Sequence, residues 1–543
     1  MLDAVTNAAK RTLVEAIIGR LAAQGVDRIF GVPGGDCNLD FLDAAERGGI
    51  EFVLTRSETP AAIMAAVTAE LTGTPGVVMT TRGPGLANAI NGVAYAQLDR
   101  APLLVIADAY EPDLGHVSHQ RMDQSALLAP VVKGWADLSS ADPLGEFDNL
   151  LAVAAAEPPG SVYLEVTGRR VREAVADVRA PSPGHDRTRR AGAAAVPPAV
   201  RELLAGARRP VVIAGLQAVR PAAAAGLGDL VSLWGCPVLL TYKAKGILDD
   251  GDPHALGYFI GGAAERPLLE QADVIVLYGF DPIECPPQGW AYEAPVVELS
   301  EHPFERHFIA ERCSLIGGLA GTAAALASAN PVGAWRPGEL AKLKAVIRNA
   351  ALMASGSPMS AQNVVDTAAR ILPQESRITV DAGAHMLPVM HLWPSRGPRQ
   401  ALISRGLATM GFALPAAIAS ALAEPGRPVV AFTGDGGLMM NPAELATAVQ
   451  QRCDVLVVVF NDSCLSLIAA KQRRRGLPGV GTDFSPTDFA KVAEGFGARG
   501  FRAETLGQLE TALHEASAVG GPCLVDVVVD PHPYDAEIIG IRG

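Results

Sequence analysis

Residues 429–437 read VVAFTGDGG and residues 455–463 read VLVVVFNDS, with a helical pattern between them. Each stretch is a short apolar run that ends in a turn carrying an acidic residue, Asp435 in the first and Asp462 in the second. Strands without polar alternation are typical of a parallel sheet that is covered on both faces. The sequence therefore predicts a βαβ unit with one acidic turn at the carboxyl end of each strand.

The helix of this unit has a recognisable start. Asn441 is predicted to cap the helix, Pro442 suits its first position, and Glu444 completes a capping box. This pattern predicts a helix that begins at Pro442.

Ligands of open α/β sheets bind just beyond the carboxyl ends of adjacent strands. Two carboxylates brought together there repel each other unless a cation lies between them. Oxygen ligands in a glycine-rich turn suit Mg²⁺, which takes one or two carboxylates together with substrate phosphates. Gly436 and Gly437 allow backbone N–H groups to approach a phosphate closely. Two solvated acidic turns are the alternative reading of so short a motif.

The complete pattern, GDG at 434–436 followed by ND at 461–462, resembles the thiamine diphosphate signature of the decarboxylase and acetolactate synthase superfamily. Many relatives have Asn at the position of Asp462. The resemblance implies that Asp435, Asp462 and the backbone carbonyl of Cys464 bind Mg²⁺, which in turn binds the diphosphate.

Length, composition and charge indicate the number of domains, the class of protein and the partners that are disfavoured. A chain of 543 residues is too long for one core and suggests about three domains. Hydrophobic residues make up 49% and charged residues 19%, which is typical of a globular protein. A net charge of −13 argues against nucleic acid or an anionic membrane surface as the main partner.

Location is predicted from the cysteines and from the absence of apolar runs. No run reaches the length needed to span a membrane, and residues 1–11 lack the apolar core of a signal peptide. The seven cysteines are scattered without a CxxC pair, which favours reduced thiols. We therefore expect a cytoplasmic protein without a membrane partner.

The predicted fold class is α/β, with three doubly wound parallel-sheet domains, since short apolar strands alternate with helical patterns throughout. By resemblance these are a pyrimidine-binding domain at 1–180, a central domain at 195–345 and a diphosphate-binding domain at 359–543. The segment at 181–198, which contains Pro, Gly and Arg and no apolar periodicity, is the first predicted linker, and residues 354–358 are the second.

Glu58 is the candidate catalytic residue of the first domain. It follows a predicted strand directly and faces an alanine-rich helix, so we expect surroundings poor in water. Taken alone, it is also a favourable charge at a helix start. The motifs GVPGG at 31–35, RSE at 56–58 and GPG at 83–85 resemble the pyrimidine-binding domain of the superfamily. There the glutamate hydrogen-bonds N1′ of the aminopyrimidine and so promotes deprotonation of the thiazolium C2. Relatives usually have His where Ser57 stands.

A second catalytic candidate is Gln120, which by resemblance matches an active-site glutamine of the acetolactate synthase and benzaldehyde lyase branches. A solvated loop glutamine is the alternative. Pyruvate decarboxylases place paired histidines here, whereas this chain has His119 alone. Together with Gly35, these residues are predicted to line the substrate pocket.

Further cofactor contacts are implied by resemblance in the third domain. The backbone of Ala384 and His385 touches the diphosphate. The carbonyl of Ala408 accepts a hydrogen bond from the 4′-amino group, and Met410 wedges between the two rings of the cofactor. Outside this motif, a methionine in such a turn is a core filler.

The central domain binds FAD in some members of the superfamily. No GxGxxG fingerprint is present here, so a structural role is predicted and FAD is left open.

The substrate is the least determined feature. Leu467 and Ile468 are predicted to begin a helix that faces the pocket. Acetolactate synthases have a Trp where Lys471 stands, and pyruvate decarboxylases have a Glu where Ile468 stands. The pocket is therefore predicted to be apolar and free of acids, for a 2-oxoacid or an aldehyde.

Three functional readings remain open. One is a 2-oxoacid decarboxylase or acyloin-forming carboligase similar to acetolactate synthase, and another is an aldehyde lyase similar to benzaldehyde lyase. The third is a noncatalytic regulatory homologue, which the presence of Glu58, Asp435, Asp462 and Met410 together argues against. By resemblance the protein is a homodimer or homotetramer with active sites at the subunit interface.

Overall fold

The computed structural model describes residues 11–111, 113, 119–175, 192–286, 289–329, 331–352 and 357–543. Most of both predicted linkers lies outside these described residues. Three six-stranded sheets, each wholly parallel, dominate the described part of the chain. The predicted α/β class with three doubly wound sheets is therefore confirmed.

The first sheet has the strand order β3-β2-β4-β5-β7-β6. The helix that begins at Glu58 packs closely because it is rich in alanine, and its residues 60–69 are all buried. The elements are β1 (Arg11–Thr12), α1 (Leu13–Ala23), β2 (Arg28–Val32), α2 (Cys37–Gly48), β3 (Glu51–Leu54), α3 (Glu58–Thr72), β4 (Gly76–Thr80), α4 (Pro84–Leu98), β5 (Leu103–Asp108), α5 (Gln124–Leu128), β6 (Trp135–Ala136), α6 (Pro143–Ala155), β7 (Ser161–Val166), α7 (Gly168–Val171) and β8 (Ala174–Val175).

The middle sheet has the order β11-β10-β9-β12-β13-β14. Its two edge strands, β11 and β14, are four residues long each. The elements are α8 (Pro198–Gly206), β9 (Pro210–Ala214), α9 (Pro221–Trp234), β10 (Val238–Leu240), β11 (Ala255–Tyr258), α10 (Arg266–Leu269), β12 (Val274–Tyr278), β13 (Val296–Ser300), β14 (Cys313–Ile316), α11 (Leu319–Ala327) and α12 (Pro337–Ala351).

The third sheet has the order β16-β15-β17-β18-β20-β19. The elements are α13 (Ala361–Ile371), β15 (Arg377–Val380), α14 (Met386–Leu392), β16 (Ala401–Ile403), α15 (Ala413–Ala423), β17 (Val429–Gly434), α16 (Asp435–Leu438), α17 (Glu444–Gln450), β18 (Val455–Asn461), α18 (Ser466–Arg474), α19 (Phe489–Gly495), β19 (Arg499–Ala503), α20 (Leu506–Val519), β20 (Cys523–Val528) and α21 (Pro533–Arg542).

The chain divides into two compact units. The first contains the first sheet together with residues 418–425 and 443–451, and the second contains the middle and third sheets. Within the second unit, one continuous hydrophobic core joins residues of both sheets, among them Val276 and Phe432. No helix in the described ranges is long and apolar enough to cross a membrane.

The predicted start of the helix between β17 and β18 is wrong. The helix α17 begins at Glu444, two residues later than expected, and its N-cap residue is Ala443. Asn441 does not cap this helix, because its side-chain amide donates to the Gly411 carbonyl at 2.8 Å. The Glu444 carboxylate accepts from the backbone N–H of Arg56 at 2.9 Å instead of closing a capping box.

Candidate functional site

Two acidic turns lie side by side at the carboxyl edge of the third sheet. Strands β17 and β18 are paired in register as far as Gly434 and Phe460, so Asp435 and Asp462 leave the sheet together. The Asp435 carboxylate reaches across to the second turn, where it accepts a hydrogen bond from the Ser463 backbone N–H at 2.6 Å. The strand register thus places both predicted metal ligands in one site.

The second turn is shaped around the Asp462 carboxylate. One oxygen accepts from the Cys464 N–H at 3.0 Å and the other from the Ser466 hydroxyl at 2.6 Å. Ser463 between them has a left-handed backbone, with φ of 57°. Such a conformation costs about 1 kcal/mol or more outside glycine and is found at functional sites.

The electrostatics of this site favour a cation. Burial raises the pKa of Asp462 to about 7, and the nearby charge of Asp435 adds to the rise. Burial also raises the pKa of Asp435, although hydrogen bonds from backbone N–H groups offset part of the rise. A bound cation would offset both the burial of charge and the mutual repulsion.

The donor set fits Mg²⁺. Within the described ranges, no cluster of three or more His, Cys, Asp or Glu side chains could hold a metal. A cation between Asp435 and Asp462 would therefore complete its coordination with backbone carbonyls, water or phosphate oxygens. Mg²⁺ takes few protein carboxylates and keeps such ligands, whereas structural Zn²⁺ needs four protein ligands.

A cavity of about 330 Å³ opens beside the acidic turns. It is lined by every residue of the third domain that the sequence predicted as a cofactor, metal or substrate contact. These are Ala384, His385, Ala408, Met410, Asp435, Gly436, Gly437, Asp462, Cys464, Leu467 and Ile468.

A second buried aspartate, Asp381, ties the walls of the cavity together. One carboxylate oxygen accepts from the backbone N–H groups of Phe412 and Ala413, at 2.5 and 2.8 Å. The other accepts from the Thr433 hydroxyl. Burial raises the pKa of Asp381 to about 6. Asp381, just after β15, thus connects the start of α15 with the carboxyl end of β17.

Gly437 is required by this arrangement. A Cβ atom at Gly437 would lie 2.4 Å from the Asp381 carboxylate and 2.9 Å from the Thr433 hydroxyl. A side chain there would push apart the network that shapes the cavity.

His385 lines the cavity and contains a buried ring nitrogen without a hydrogen-bond partner among the described residues. Its ring stacks on Phe460 with centroids 5.2 Å apart, and burial lowers its pKa to about 3, so the ring is neutral. Its Nε2 atom is buried and has no hydrogen-bond partner among the described residues. A polar ligand in the cavity would satisfy it.

The turn that carries Ala408 and Met410 is held in an uncommon backbone conformation. Ala408 has φ of 54° and Gly411 has φ of 76°. The turn is fixed by the Thr409 N–H, which donates to the Ser404 hydroxyl at 3.3 Å. Ala408 is exposed and Met410 is half-buried, and both are therefore available to a ligand in the cavity.

Glu58 lies at the carboxyl edge of the first sheet, where it begins α3. Its carboxylate accepts from the Asn88 side-chain amide at 2.6 Å. A Cβ at Gly85 would lie 3.1 Å from the other carboxylate oxygen, so the glycine turn leaves room for Glu58. Glu58 is half-buried, and the predicted surroundings poor in water are not found within the single chain.

The structure also brings Gln120 to this edge. The Gln120 carbonyl accepts from the Tyr110 hydroxyl and lies 2.5 Å from the position of a Cβ on Gly83. His119, Gln120 and Gly35 are all exposed. Glu58 and Gln120 therefore flank the same GPG turn, while Gly35 follows the neighbouring strand β2.

The carboxyl edge of the middle sheet is filled by Glu284. Its carboxylate accepts from the Leu216 backbone N–H at 2.8 Å and from the Thr241 hydroxyl at 2.5 Å. Burial raises the pKa of this carboxyl to about 7. Donors at such strand ends are the ones that a nucleotide phosphate uses, and here a carboxylate takes them. These residues do not fit the diphosphate of FAD.

The sequence did not identify Asp381, behind the cavity wall, or two arginines that line the cavity. Asp381 follows a buried strand, and its position resembles that of Asp435, so this signal was present. Arg405 and Arg542 also line the cavity, which is therefore not the purely apolar pocket predicted. No sequence pattern links two arginines so far apart along the chain.

Comparison with protein-family models identifies the class of protein to which this cavity belongs. Three family models match: the N-terminal TPP binding domain of thiamine pyrophosphate enzymes at residues 11–127, their central domain at 198–326 and their C-terminal TPP binding domain at 381–527. Thiamine pyrophosphate is another name for thiamine diphosphate. The chain thus carries the three domains of a thiamine diphosphate-dependent enzyme.

Similar proteins narrow the class. An acetolactate synthase from Bacillus subtilis is 30% identical over 95% of this chain and 93% of its own. A catabolic acetolactate synthase from Raoultella terrigena and a probable 2-ketoarginine decarboxylase from Pseudomonas aeruginosa are each 30% identical, over 95% of this chain and 94% of theirs. The chain belongs to the thiamine diphosphate-dependent superfamily of acetolactate synthase-like enzymes.

Replacing Gly437 by Ala tests the role of the Asp381 network. We expect Gly437→Ala to lower the free energy of unfolding by about 1–3 kcal/mol, the usual range for overpacking. Gly507→Ala is the matched control, because a Cβ at Gly507 meets no atom within 4 Å. Chemical denaturation of both variants provides the measurement, and equal stability of the two would contradict the close approach.

Proposed function

We propose that this protein is a thiamine diphosphate- and Mg²⁺-dependent enzyme that decarboxylates 2-oxoacids, forms acyloins by carboligation, or does both. When bound, the cofactor supplies the electron sink that allows a bond next to a carbonyl to break or form. The observation that carries the proposal is the pair of carboxylates, Asp435 and Asp462, beside a cavity lined by the predicted cofactor contacts.

In this proposal, Asp435, Asp462 and the Cys464 carbonyl hold Mg²⁺, which binds the diphosphate. The backbone of Ala384, His385, Gly436 and Gly437 borders the diphosphate. The support is electrostatic. The pKa of both carboxyls is raised, and no cluster of three His, Cys, Asp or Glu side chains among the described residues could bind the metal without other ligands. A divalent cation offsets the charge of the two carboxylates and keeps coordination positions for phosphate oxygens.

The remaining roles concern orientation and proton transfer. The Ala408 carbonyl would accept a hydrogen bond from the aminopyrimidine, and Met410 would support the bound conformation of the cofactor. Glu58 holds a proton at N1′ of the aminopyrimidine. Gln120 lies at the same edge of the first sheet as Glu58 and orients the substrate.

We further propose that two chains complete each active site, in a homodimer or homotetramer. One chain supplies Glu58 and its partner supplies Asp435. The half-buried state of Glu58 in the single chain supports this arrangement, since a proton-shuttling carboxyl needs exclusion of water. Leu467 and Ile468 line the cavity, and Ile468 is 44% exposed in the single chain.

Loss of the metal bridge is the first test. We expect Asp435→Ala to abolish Mg²⁺-dependent binding of thiamine diphosphate, because the diphosphate charge then faces Asp462 without a shared cation. Calorimetric titration with the cofactor, with and without Mg²⁺, measures this. Asp454→Ala, at an exposed aspartate outside the cavity, is the control and should bind normally. Normal affinity in Asp435→Ala would remove the metal assignment.

The second test concerns the proton held by Glu58. Glu58→Gln keeps the size of the side chain and a hydrogen bond to N1′ but cannot shuttle a proton. We expect cofactor affinity to fall modestly and the chemical step to fall about 10²–10⁴-fold, the range typical of general acid–base groups. Exchange of the C2 hydrogen on the bound cofactor should slow in parallel.

Hydrogen exchange followed by NMR measures this second effect without a known substrate. Glu51→Gln is a suitable control, because Glu51 is an exposed glutamate at the start of β3, the strand that precedes Glu58. If Glu58 serves only as a charge at a helix start, exchange in Glu58→Gln will equal that of the control, and the proposed role is then wrong.

A further inference from the structure

The cavity beside the acidic turns also carries positive charge. Arg405, Lys471 and Arg542 line it, in addition to the two metal-binding carboxylates. Lys471 is exposed and lies one helical turn after Ile468 on α18, whereas Arg405 and Arg542 are half-buried. The cavity therefore has a cationic region beyond the requirements of the proposed metal site.

Arg542 is a guanidinium without a counter-charge. It ends α21, and no ion pair or side-chain hydrogen bond links it to another described residue. Burial lowers its pKa, and the positive charge of Arg405 lowers it further. A half-buried guanidinium without a counter-charge, such as that of Arg542, is costly unless an anion binds it.

The position of Arg542 is fixed by the backbone on both sides of it. The Ile541 carbonyl accepts from the N–H groups of Ala263 and Ala264, at 3.0 and 3.2 Å. The Gly543 carbonyl accepts from the Arg474 guanidinium at 2.7 Å. These contacts hold the end of α21 against the middle sheet's β11–α10 connection, so the charge at Arg542 is held in place.

Arg405 is oriented by the middle domain. Its guanidinium donates to the Glu284 carbonyl at 2.8 Å and lies over the Tyr242 ring, 5.1 Å from the centroid. The Tyr242 hydroxyl is in turn hydrogen-bonded to His391 at 3.0 Å. These two contacts fix the position of the Arg405 guanidinium, a group that suits a carboxylate or a phosphate.

We propose that Arg405 and Arg542 bind an anionic group of the substrate that is remote from the reacting carbonyl. The substrate is then a 2-oxoacid or aldehyde with a second carboxylate or a phosphate at its far end. This inference rests on the proposed function, which assigns the acidic side of the cavity to Mg²⁺ and the diphosphate. The same charges disfavour a cationic 2-oxoacid such as 2-ketoarginine.

Steady-state release of CO₂ tests the proposal with 2-oxoglutarate, which has a distal carboxylate, and 2-oxobutanoate, which has none. We expect the wild-type holoenzyme to prefer 2-oxoglutarate. Arg542→Gln should raise the KM for 2-oxoglutarate about 10-fold to 100-fold, the effect of losing a charge-assisted hydrogen bond, with little change in kcat. Constants for 2-oxobutanoate should stay the same, and Arg542→Lys should recover part of the preference.

The control is Arg475→Gln, at an exposed arginine outside the cavity, which should leave both substrates unaffected. An equal rise of KM for both oxoacids would overturn the proposal, because the arginines would then bind the carboxylate common to both. A wild-type enzyme without preference for 2-oxoglutarate, or a loss of thiamine diphosphate affinity in Arg542→Gln, would also overturn it.

Calorimetry separates this proposal from the proposed function. If neither oxoacid is decarboxylated, 2-oxoacid decarboxylation is wrong, and unreactive anions are titrated into the cofactor-loaded protein instead. Glutarate or phosphoglycolate should bind more tightly than butyrate, and Arg542→Gln should abolish the difference. If glutarate binds more tightly than phosphoglycolate, the distal group is a carboxylate; if phosphoglycolate binds more tightly, it is a phosphate. Equal binding of all three anions would overturn the proposal.

Discussion

The repulsion between two carboxylates at the ends of adjacent strands is the constraint on which the site depends. Asp435 and Asp462 are brought together by the register of β17 and β18, and their surroundings raise the pKa of both. Hydrogen bonds from Ser463, Cys464 and Ser466 N–H or hydroxyl groups relieve only part of this cost. In the function that we propose, a divalent cation shared with the diphosphate relieves the rest.

The rest of the third domain serves to hold these charges in place. Apolar strands without polar alternation bury the sheet on both faces, so the strand register is fixed before any ligand binds. Asp381 then links three segments at the carboxyl edge, and Gly437 leaves room for it. The middle domain supports the same cavity by holding Arg405, whose guanidinium contacts Glu284 and Tyr242. Binding and specificity thus depend on elements far apart in sequence.

Much of this was predictable from the sequence because the responsible patterns are local. The apolar runs before Asp435 and Asp462 define strands, and strand ends in a parallel sheet meet at one edge, so the acidic pair followed directly. The helix start at Glu444 was mispredicted because Asn441 bonds to Gly411, a contact that no local pattern reveals. Arg542 was missed for the same reason, since only the packing of α21 against distant segments brings it to the cavity.

Pairs of inactive variants provide the most direct test of the central claim, that Glu58 of one chain and Asp435 of another serve one cofactor. Glu58→Gln and Asp435→Ala chains with different affinity tags are co-expressed, and the mixed dimer is purified through both tags. The account predicts activity about half that of the wild-type dimer, because one of the two sites receives both intact residues. A mixed dimer as inactive as either parent would contradict the account.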